Sequence, residues 1–278
     1  MRVVVTGAAG AIGRVVTRGL ADAGHAVRAV DRVEPDSSPP PPVVPVAADV
    51  LDASAMRSAL EGADGVVHLA SIPHEASLPE ILRSHVETTA VLLDAMVDTG
   101  VARMVFASSN HAVGRTPRAE QVGVGTRPRP DTFYGVGKVS AEALGSLYAD
   151  RHGISFVACR IGSFLPRPTS RRQLSTWLSH DDAVRMVYAG LTAPDPGFAV
   201  LYGISANTRA WWDLAPGRAL GYEPQDDAEV YADEILAEPE SDDDRFEASY
   251  VGGPFAGDAF VRPALDPGPA AEPGSQSP

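Results

Sequence analysis

The sequence contains a single cysteine, Cys159, among its 278 residues. One cysteine excludes an internal disulfide and fits a reducing compartment, so we predict a cytoplasmic protein. Cys159 lies in the apolar run FVAC, which favours a position in the core over a role as nucleophile. The seven histidines show no spacing typical of metal ligands, and no metal site is predicted.

Long hydrophobic runs and basic residues are also scarce. No stretch approaches the roughly 20 apolar residues of a membrane span, and Gly7 and Gly10 interrupt the apolar start before it resembles a signal peptide. Lys and Arg number 23 against 36 Asp and Glu, which gives a formal net charge of −13. Such a charge repels nucleic acid and anionic membranes, so neither is predicted as a partner. An anionic small molecule would need arginines that gather locally.

The apolar residues that are present make up 44% of the chain and suffice for a substantial core. They form β-type runs that alternate with helical patterns, which predicts an α/β fold with a doubly wound parallel sheet. The predicted strands are residues 2–6, 26–30, 65–71, 101–109 and 154–162, with one further strand ending near Ala47. Two long helices are predicted, at about 78–99 behind a capping box of Ser77 and Glu80, and at about 134–150.

The first predicted strand runs into a glycine turn, Gly7-Ala8-Ala9-Gly10-Ala11-Ile12-Gly13, which a helical pattern follows. Glycines let backbone approach a pyrophosphate, and the N–H groups at a helix start bind the anion. Strand 26–30 ends in Asp31, whose carboxylate would accept hydrogen bonds from an adenosine ribose and repel a 2′-phosphate. We therefore predict NAD as the cofactor rather than NADP. Arg32 is the alternative, as a phosphate ligand.

Two features follow Asp31. Residues 33–45 carry four consecutive prolines, which predicts a stiff, extended surface loop in preference to a ligand for a proline-recognition domain. Asp49 comes just after the next strand. Its carboxylate can either meet the adenine amino group or cap the following helix, and the sequence leaves both open.

Three residues in the middle of the chain have the chemistry for hydride transfer. Tyr134 and Lys138 are four apart and share one helix face, so the ammonium can favour the ionised phenol, a general base. Ser109 ends a buried strand and can orient a substrate hydroxyl against that phenol. A lone Tyr-x-x-x-Lys pair is usually an ordinary helix turn. Because this pair occurs together with a phosphate-binding turn, a catalytic role for Tyr134 and Lys138 is favoured.

These motifs, in this order, resemble the extended short-chain dehydrogenase/reductases, the nucleotide-sugar epimerase and dehydratase superfamily, over residues 1–225. The resemblance implies a Rossmann-like fold with Ser109, Tyr134 and Lys138 as catalytic triad. It also implies that Lys138 bonds the nicotinamide ribose. The cofactor-binding residues that follow are Gly7, Gly10, Ala11, Ile12, Gly13, Asp31, Asp49, Val50, Leu69, Ala70, Ser71, Tyr134, Lys138 and Ile161.

The phrases FASSNH, YGVGK, RIGS, LSTWLSHDD and WWD are similar to those of the NAD-dependent uronate dehydrogenases, which oxidise galacturonate or glucuronate at C1 to an aldarolactone. The resemblance implies that Arg172 holds the uronate carboxylate. The full implied substrate site is Ser71, Ser109, Asn110, His111, Tyr134, Ser163, Arg172 and Phe255. The chain departs from the pattern at Pro73, where the family has a serine, and at His85, where extended members carry asparagine. Within LSTWLSHDD, Ser179 and Asp182 predict a helix start instead of a metal site.

We predict an NAD-binding domain at 1–162, a small substrate-binding portion at 163–262 interleaved with the main fold, and a disordered tail at 263–278. The chain from about residue 163 is too short for a large lid over a nucleotide, which argues against a nucleotide-sugar epimerase. The remaining alternatives are another sugar dehydrogenase or reductase of this fold and a non-catalytic NAD-sensing protein. Intact Tyr134 and Lys138 count against the sensor. The resemblance further implies a homo-oligomer that pairs the two long helices.

Overall fold

The computed structural model describes residues 1–33, 42–118 and 121–265. The strands within these ranges are β1 Arg2–Thr6, β2 Ala26–Asp31, β3 Val43–Ala47, β4 Gly65–His68, β5 Arg103–Ser109, β6 Ser155–Ile161, β7 Ser163–Phe164, β8 Trp177–Leu178 and β9 Phe198–Gly203. Seven of them form one parallel sheet in the order β3-β2-β1-β4-β5-β6-β9. The predicted doubly wound parallel sheet is confirmed, and its strand order reverses between β1 and β4.

Helices cover both faces of this sheet. The α-helices among the described residues are α1 Ala11–Asp22, α2 Ala53–Leu60, α3 Leu78–Ile81, α4 Thr88–Thr99, α5 Phe133–His152, α6 Gln173–Thr176, α7 His180–Thr192, α8 Ala215–Ala219, α9 Ala232–Leu236 and α10 Asp242–Glu247. In the part of the chain that the structure describes, none of the helices combines the length and apolarity needed to cross a bilayer.

Successive side chains of β1 point to opposite faces of the sheet, which explains why helices pack on both faces. Val3 and Val5 join a buried cluster with residues of α1 and α7, whereas Val4 joins a second cluster with residues of α2, α4 and α5. Each of these valines is at most 1% exposed, and burying one stabilises the fold by about 1.5 kcal/mol or more. With every strand parallel, all carboxyl ends lie at one edge of the sheet, where ligands bind in such folds.

The predicted long helix at 78–99 is interrupted by a π-helical turn, Leu82–Glu87, between α3 and α4. The hydroxyl of Thr88 donates to the carbonyl of Ser84 at 2.5 Å. The Thr88 N–H donates to the carbonyl of Arg83, five residues earlier. In an α-helix it would donate to the carbonyl of Ser84, four residues earlier. This turn contains His85, and the capping box of Ser77 and Glu80 that starts α3 is confirmed.

Other predicted boundaries also differ from the structure: the strand predicted at 65–71 ends at His68, and the one predicted at 101–109 begins at Arg103. Residues 43–45 belong to the strand β3 instead of the predicted loop, and residues 34–41 lie outside the described residues. Pro45 is tolerated there because β3 is an edge strand, so the missing N–H interrupts no ladder. The helix that carries Tyr134 runs to His152, two residues beyond the predicted end.

The chain after residue 162 packs into the main fold. β9 pairs along β6 as the last strand of the sheet, and α7 packs against α1. The start of α7 is as predicted, since the Asp182 N–H donates to the Ser179 hydroxyl at 3.0 Å. Of the predicted tail, residues 266–278 lie outside the described residues.

Candidate active site

The turn at the end of β1 can adopt its conformation only because it is built from glycines. Gly7 has a φ of +71°, and a Cβ there would lie 2.7 Å from the backbone nitrogen of Ala70. A Cβ on Gly13 would lie 2.1 Å from the carbonyl oxygen of Gly7. No described side chain caps the start of α1, which leaves N–H groups directed at the turn. The cradle therefore fits a dinucleotide phosphate.

Asp31 lies beside this turn, at the end of β2. Its carboxylate accepts hydrogen bonds from the N–H groups of Ala9 at 2.9 Å and Val33 at 3.1 Å. A negative group is thereby fixed next to the phosphate cradle, where a ribose diol of a bound dinucleotide lies in this fold. The neighbouring Arg32 side chain is 77% exposed and stands 4.0 Å from the carboxylate of Asp49.

Asp49 does not cap α2. The N-cap is Asp52, whose carboxylate accepts from the N–H groups of Ser54 and Ala55 at 2.9 and 3.0 Å. Asp49 instead accepts the N–H of Leu51 at 2.9 Å and is exposed at the sheet edge. Of the two roles that the sequence left open, capping is wrong, and contact with the adenine stays a prediction.

The other predicted cofactor residues lie at or near the same edge. The backbone of Leu69 and Ala70 adjoins Gly7, and Val50 is buried just after β3. Ile161 is the last residue of β6 and is 7% exposed. The structure thus brings together residues from four strand ends that are distant in sequence.

The three predicted catalytic side chains also meet at this edge. Ser109 is the last residue of β5, Tyr134 is the second residue of α5, and Lys138 is buried one turn later. The Ser109 hydroxyl accepts the N–H of His111 at 3.2 Å and donates to the side-chain carbonyl of Asn110 at 3.3 Å. The Lys138 ammonium lies 5.2 Å from the Tyr134 ring centre and donates to the carbonyl of Ala107 at 2.8 Å.

We predicted that Lys138 lowers the pKa of Tyr134, whereas the structure shows this pKa raised. Burial raises the pKa of Tyr134 to about 12, the Ser109 side chain lowers it in part, and the carboxylate of Asp131 raises it further. Burial also lowers the pKa of Lys138 to about 7, against the opposite effect of Glu142. Desolvation is therefore the largest influence on the pKa of both groups.

A buried ionic network surrounds the far side of Lys138. Glu142, one helical turn further along α5, accepts two hydrogen bonds from Arg160, at 3.0 and 2.8 Å, and one from Ser108 at 2.5 Å. Glu142 and Arg160 are 5% and 3% exposed. Because each charge is paired and hydrogen-bonded, the network keeps a fixed carboxylate near the ammonium.

Arg172 lies at the start of α6 with its guanidinium among residues from the end of the chain. Its Nη2 donates to the carbonyl of Val251 at 2.5 Å, and the group lies 5.8 Å from the ring centre of Trp211. Nη1 is buried and has no hydrogen-bond partner among the described residues. Burial lowers the pKa of Arg172 to about 10, so the group is charged at neutral pH. The carboxylates of Glu247 and Asp131 act on this charge. A buried donor without a partner calls for a further acceptor, which a ligand could supply.

The remaining predicted substrate residues cluster near Arg172 and Tyr134. Asn110 donates to the same Val251 carbonyl at 3.0 Å. The His111 ring lies 4.4 Å from that of Phe255 and 5.8 Å from that of Tyr134, measured between centres. Ser163 shares a hydrogen bond of 2.9 Å with Thr176. Ser71 accepts from Lys138 at 3.1 Å.

Sequence reasoning missed Asp131. Its carboxylate is fully buried and lies 2.8 Å from Nδ1 of His111. The space for it exists because Gly114 and Gly252 lack side chains: a Cβ on either would come within 2 Å of the carboxylate, at 1.9 and 1.8 Å. No local pattern signals this arrangement, since the glycines come from distant parts of the chain.

The two departures from the family pattern have different surroundings. Pro73 is exposed, whereas His85 is 1% exposed and its ring centre lies 5.1 Å from that of Tyr134 at a right angle. Nε2 of His85 lies 3.1 Å from the carbonyl of Ile72, and Nδ1 has no partner among the described residues. Burial lowers the pKa of His85 to about 2, so the ring is neutral and donates through Nε2.

A doubly wound sheet with a glycine cradle after β1 and a Ser-Tyr-Lys group beside it defines a dinucleotide-dependent oxidoreductase. Comparison with known proteins agrees with this class. The profile of the NAD dependent epimerase/dehydratase family matches residues 3–180, and the chain belongs to this family. The NAD dependence of this family agrees with the predicted cofactor. The predicted resemblance to this superfamily is confirmed.

The more similar relatives are uronate dehydrogenases. The enzyme of Pseudomonas syringae pv. tomato is 36% identical over 91% of this chain and 92% of its own length. That of Agrobacterium fabrum is 38% identical over 91% of this chain and 96% of its own. Crystal structures of uronate dehydrogenase from Agrobacterium tumefaciens, one of them a variant complexed with NAD, superpose with a TM-score of 0.86 at 38% identity, covering 92% of this chain and 96% of theirs.

Proposed function

We propose that the protein oxidises a hexuronate, galacturonate or glucuronate, at C1 to the aldarolactone, with NAD as the oxidant. The observation that carries the proposal is the buried Arg172 guanidinium, whose Nη1 has no partner among the described residues. It shares the Val251 carbonyl with Asn110, the neighbour of Ser109. A sugar carboxylate would supply the missing acceptor and could bind the guanidinium through two parallel hydrogen bonds, in addition to the more distant charges of Glu247 and Asp131. A neutral sugar supplies no charge.

In the proposed reaction, Tyr134 takes the proton of the C1 hydroxyl as a phenolate, a form that burial disfavours and that the positive charge of a bound oxidised nicotinamide would favour. Ser109 orients that hydroxyl by a hydrogen bond. NAD supplies the acceptor for the hydride that leaves C1. Loss of the proton and the hydride leaves a carbonyl at C1 next to the ring oxygen, which is a lactone. Lys138, fixed by Ala107 and Ser71, holds a cation beside the phenol and the nicotinamide ribose.

The cofactor roles form part of the same proposal. The cradle of Gly7, Gly10 and Gly13 takes the pyrophosphate, Asp31 takes the adenosine ribose, and Asp49 faces the adenine. Residues 1–162 then bind NAD, and residues 163–262 complete the sugar site with Ser163, Arg172 and Phe255. The alternatives of an epimerase or a dehydrogenase of neutral sugars would offer Nη1 of Arg172 no charged acceptor.

We further propose a cytoplasmic homodimer that pairs α4 and α5 with their counterparts across a two-fold axis. Both helices carry apolar side chains at the surface, with Val97 of α4 40% exposed and Leu147 of α5 45% exposed. Isologous pairing would cover this surface. The single, buried Cys159 accords with a reducing compartment.

The test is an absorbance screen for NADH formation with galacturonate, glucuronate and their neutral parent sugars, run with the wild type and Tyr134→Phe. We expect activity with at least one uronate, and a fall in turnover on the order of 10² in the variant with NADH binding retained. A wild type that binds NADH and oxidises no sugar, with the variant behaving identically, would support an NAD sensor. Equal activity on uronates and neutral parents would contradict the substrate assignment.

A further inference from the structure

The segment from Ser71 to Ser77, here named the 71–77 loop, connects β4 to α3 at the edge of the active site. Its first residue, Ser71, accepts a hydrogen bond from the Lys138 ammonium at 3.1 Å. The Ile72 N–H donates to the hydroxyl of Ser84 at 2.7 Å, and the Ile72 carbonyl accepts from His85 at 3.1 Å. The loop is therefore attached to the π-helical turn on one side and to a catalytic residue on the other.

Glu75, in the middle of this loop, binds the start of α5. Its Oε1 accepts the N–H of Phe133 at 3.0 Å, and its Oε2 accepts the N–H of Tyr134 at 2.8 Å. These are the first two N–H groups of the helix, which have no partner within a helix. The third, from Gly135, donates to the hydroxyl of Thr132 at 3.1 Å. Glu75 and Thr132 together satisfy the whole first turn.

The attachment matters because Tyr134 is only the second residue of its helix. The ends of helices fray, and a side chain at such a position is held less firmly than one in the middle. A displacement of about 1 Å at a reacting group can slow a reaction by a factor on the order of 10². The carboxylate also interacts favourably with the positive end of the helix dipole. Glu75 thus fixes the main chain of Tyr134 from outside the helix.

We propose that Glu75 is a positioning residue, which holds Tyr134 in its reactive location through two main-chain hydrogen bonds without itself meeting the substrate. The proposal rests on the proposed function, since it assigns Glu75 to the oxidation that Tyr134 performs. It identifies the 71–77 loop as the element that connects the two catalytic residues of α5 to the rest of the site: Ser71 binds Lys138, and Glu75 binds the backbone of Tyr134.

The chain offers a matched control in Glu80. Its carboxylate accepts the N–H of Ser77 at 3.1 Å as part of the capping box of α3. Both glutamates therefore cap a helix that borders the active site, and only Glu75 touches the catalytic one. A loss of capping in general would affect Glu75→Ala and Glu80→Ala alike. A loss of positioning would affect Glu75→Ala alone.

The experiment compares the wild type with Glu75→Ala, Glu75→Gln and Glu80→Ala. It measures kcat and KM for NAD and a uronate, the thermal midpoint Tm, and amide hydrogen exchange across 133–134. For Glu75→Ala we expect a fall in kcat of at least tenfold, a KM for NAD within twofold of the wild type, and faster exchange at these amides. Glu75→Gln keeps one acceptor oxygen and should recover part of kcat. Glu80→Ala should keep kcat within twofold.

The outcomes separate this proposal from the proposed function. An active wild type whose kcat is equal in Glu75→Ala would overturn the positioning role and leave uronate oxidation intact. An equal fall in kcat in Glu75→Ala and Glu80→Ala would also overturn it, because capping alone would then account for the loss. If the wild type oxidises no uronate, the exchange measurement still decides: unchanged amide protection at 133–134 in Glu75→Ala refutes the attachment, and faster exchange supports it.

Discussion

In the proposed function, substrate selection depends on Arg172, because Nη1 of its buried guanidinium has no hydrogen-bond partner among the described residues. We expect Arg172→Ala to raise the KM for a uronate by a factor on the order of 10², since a charge-assisted contact contributes about 2 to 3 kcal/mol. NAD binding should be unchanged. Steady-state kinetics with a uronate and with its neutral parent sugar measure the difference.

The adjacent Arg171 is the control for this substitution. It carries the same charge, and its guanidinium is paired with the carboxylate of Asp244 at 3.8 Å. Arg171→Ala should leave the KM for a uronate within about twofold. Equal losses on charged and neutral sugars in Arg172→Ala would mean that its bond to Val251 is structural and that the carboxylate lies elsewhere.

We expect Asp31 to govern the choice of cofactor, because its carboxylate is held beside the glycine turn by two main-chain N–H groups. Placing a 2′-phosphate next to it should cost more than about 1.4 kcal/mol, so we expect at least a tenfold preference for NAD over NADP in kcat/KM. Initial rates with each cofactor give the ratio. Similar efficiencies would identify the exposed Arg32 as a phosphate ligand.

The conformation of the glycine turn between β1 and α1 requires that residue 13 carry no side chain. Gly13→Ala would place a Cβ 2.1 Å from the Gly7 carbonyl oxygen, so the turn must move. We expect a loss of NAD affinity of at least tenfold, measured by calorimetric titration, together with a lower Tm. Gly125→Ala is the control, because a Cβ at Gly125 meets no atom within 4 Å. Equal NAD affinity in both variants would show that the cradle tolerates the methyl group.

The stability of the whole molecule should depend on pH through two buried histidines. Burial lowers the pKa of His68 to about 3 and that of His85 to about 2. Below their ordinary pKa of about 6.5, the unfolded chain binds protons that the folded protein does not, so stability falls as the pH falls. Each ring contributes about 1.4 kcal/mol per pH unit until its folded pKa is reached.

We therefore expect Tm to fall between pH 6.5 and pH 5, and the fall to be about half as steep in His85→Asn. Calorimetry at several pH values measures it. The exposed His152 provides the control, since His152→Asn removes a histidine from the surface. An unchanged slope in His85→Asn would mean that the ring becomes protonated inside the fold.

The proposed dimer is a second property of the whole molecule. Light scattering should give a particle near twice the chain mass of 29.1 kDa, and Leu147→Glu should halve it by placing a charge in the α5 interface. Val230 is 79% exposed and lies outside both helices, so Val230→Glu should leave the mass unchanged. A wild-type mass of 29 kDa at micromolar concentration would refute the dimer.

Features that depend on neighbouring residues were predictable from the sequence. The glycine turn between β1 and α1, the capping box of Ser77 and Glu80, and the pairing of Tyr134 with Lys138 each involve residues a few positions apart. Local sterics and hydrogen bonds decide them, and the sequence displays both. The alternation of strands and helices then restricts the sheet to a parallel arrangement with its ligand edge at the strand ends.

Other features depend on contacts between distant residues, and only the tertiary structure decided them. Glu75 meets the N–H of Tyr134 across 59 positions, and Asp131 fits a space left by Gly114 and Gly252. The pKa of Tyr134 rises because packing removes water from the phenol, and no spacing of residues reports that. The sequence by itself determined which groups are available for the chemistry. The packing determined the pKa values of these groups, which residues contact them and which residues hold them in position. Desolvation and long-range hydrogen bonds exist only once the chain has folded.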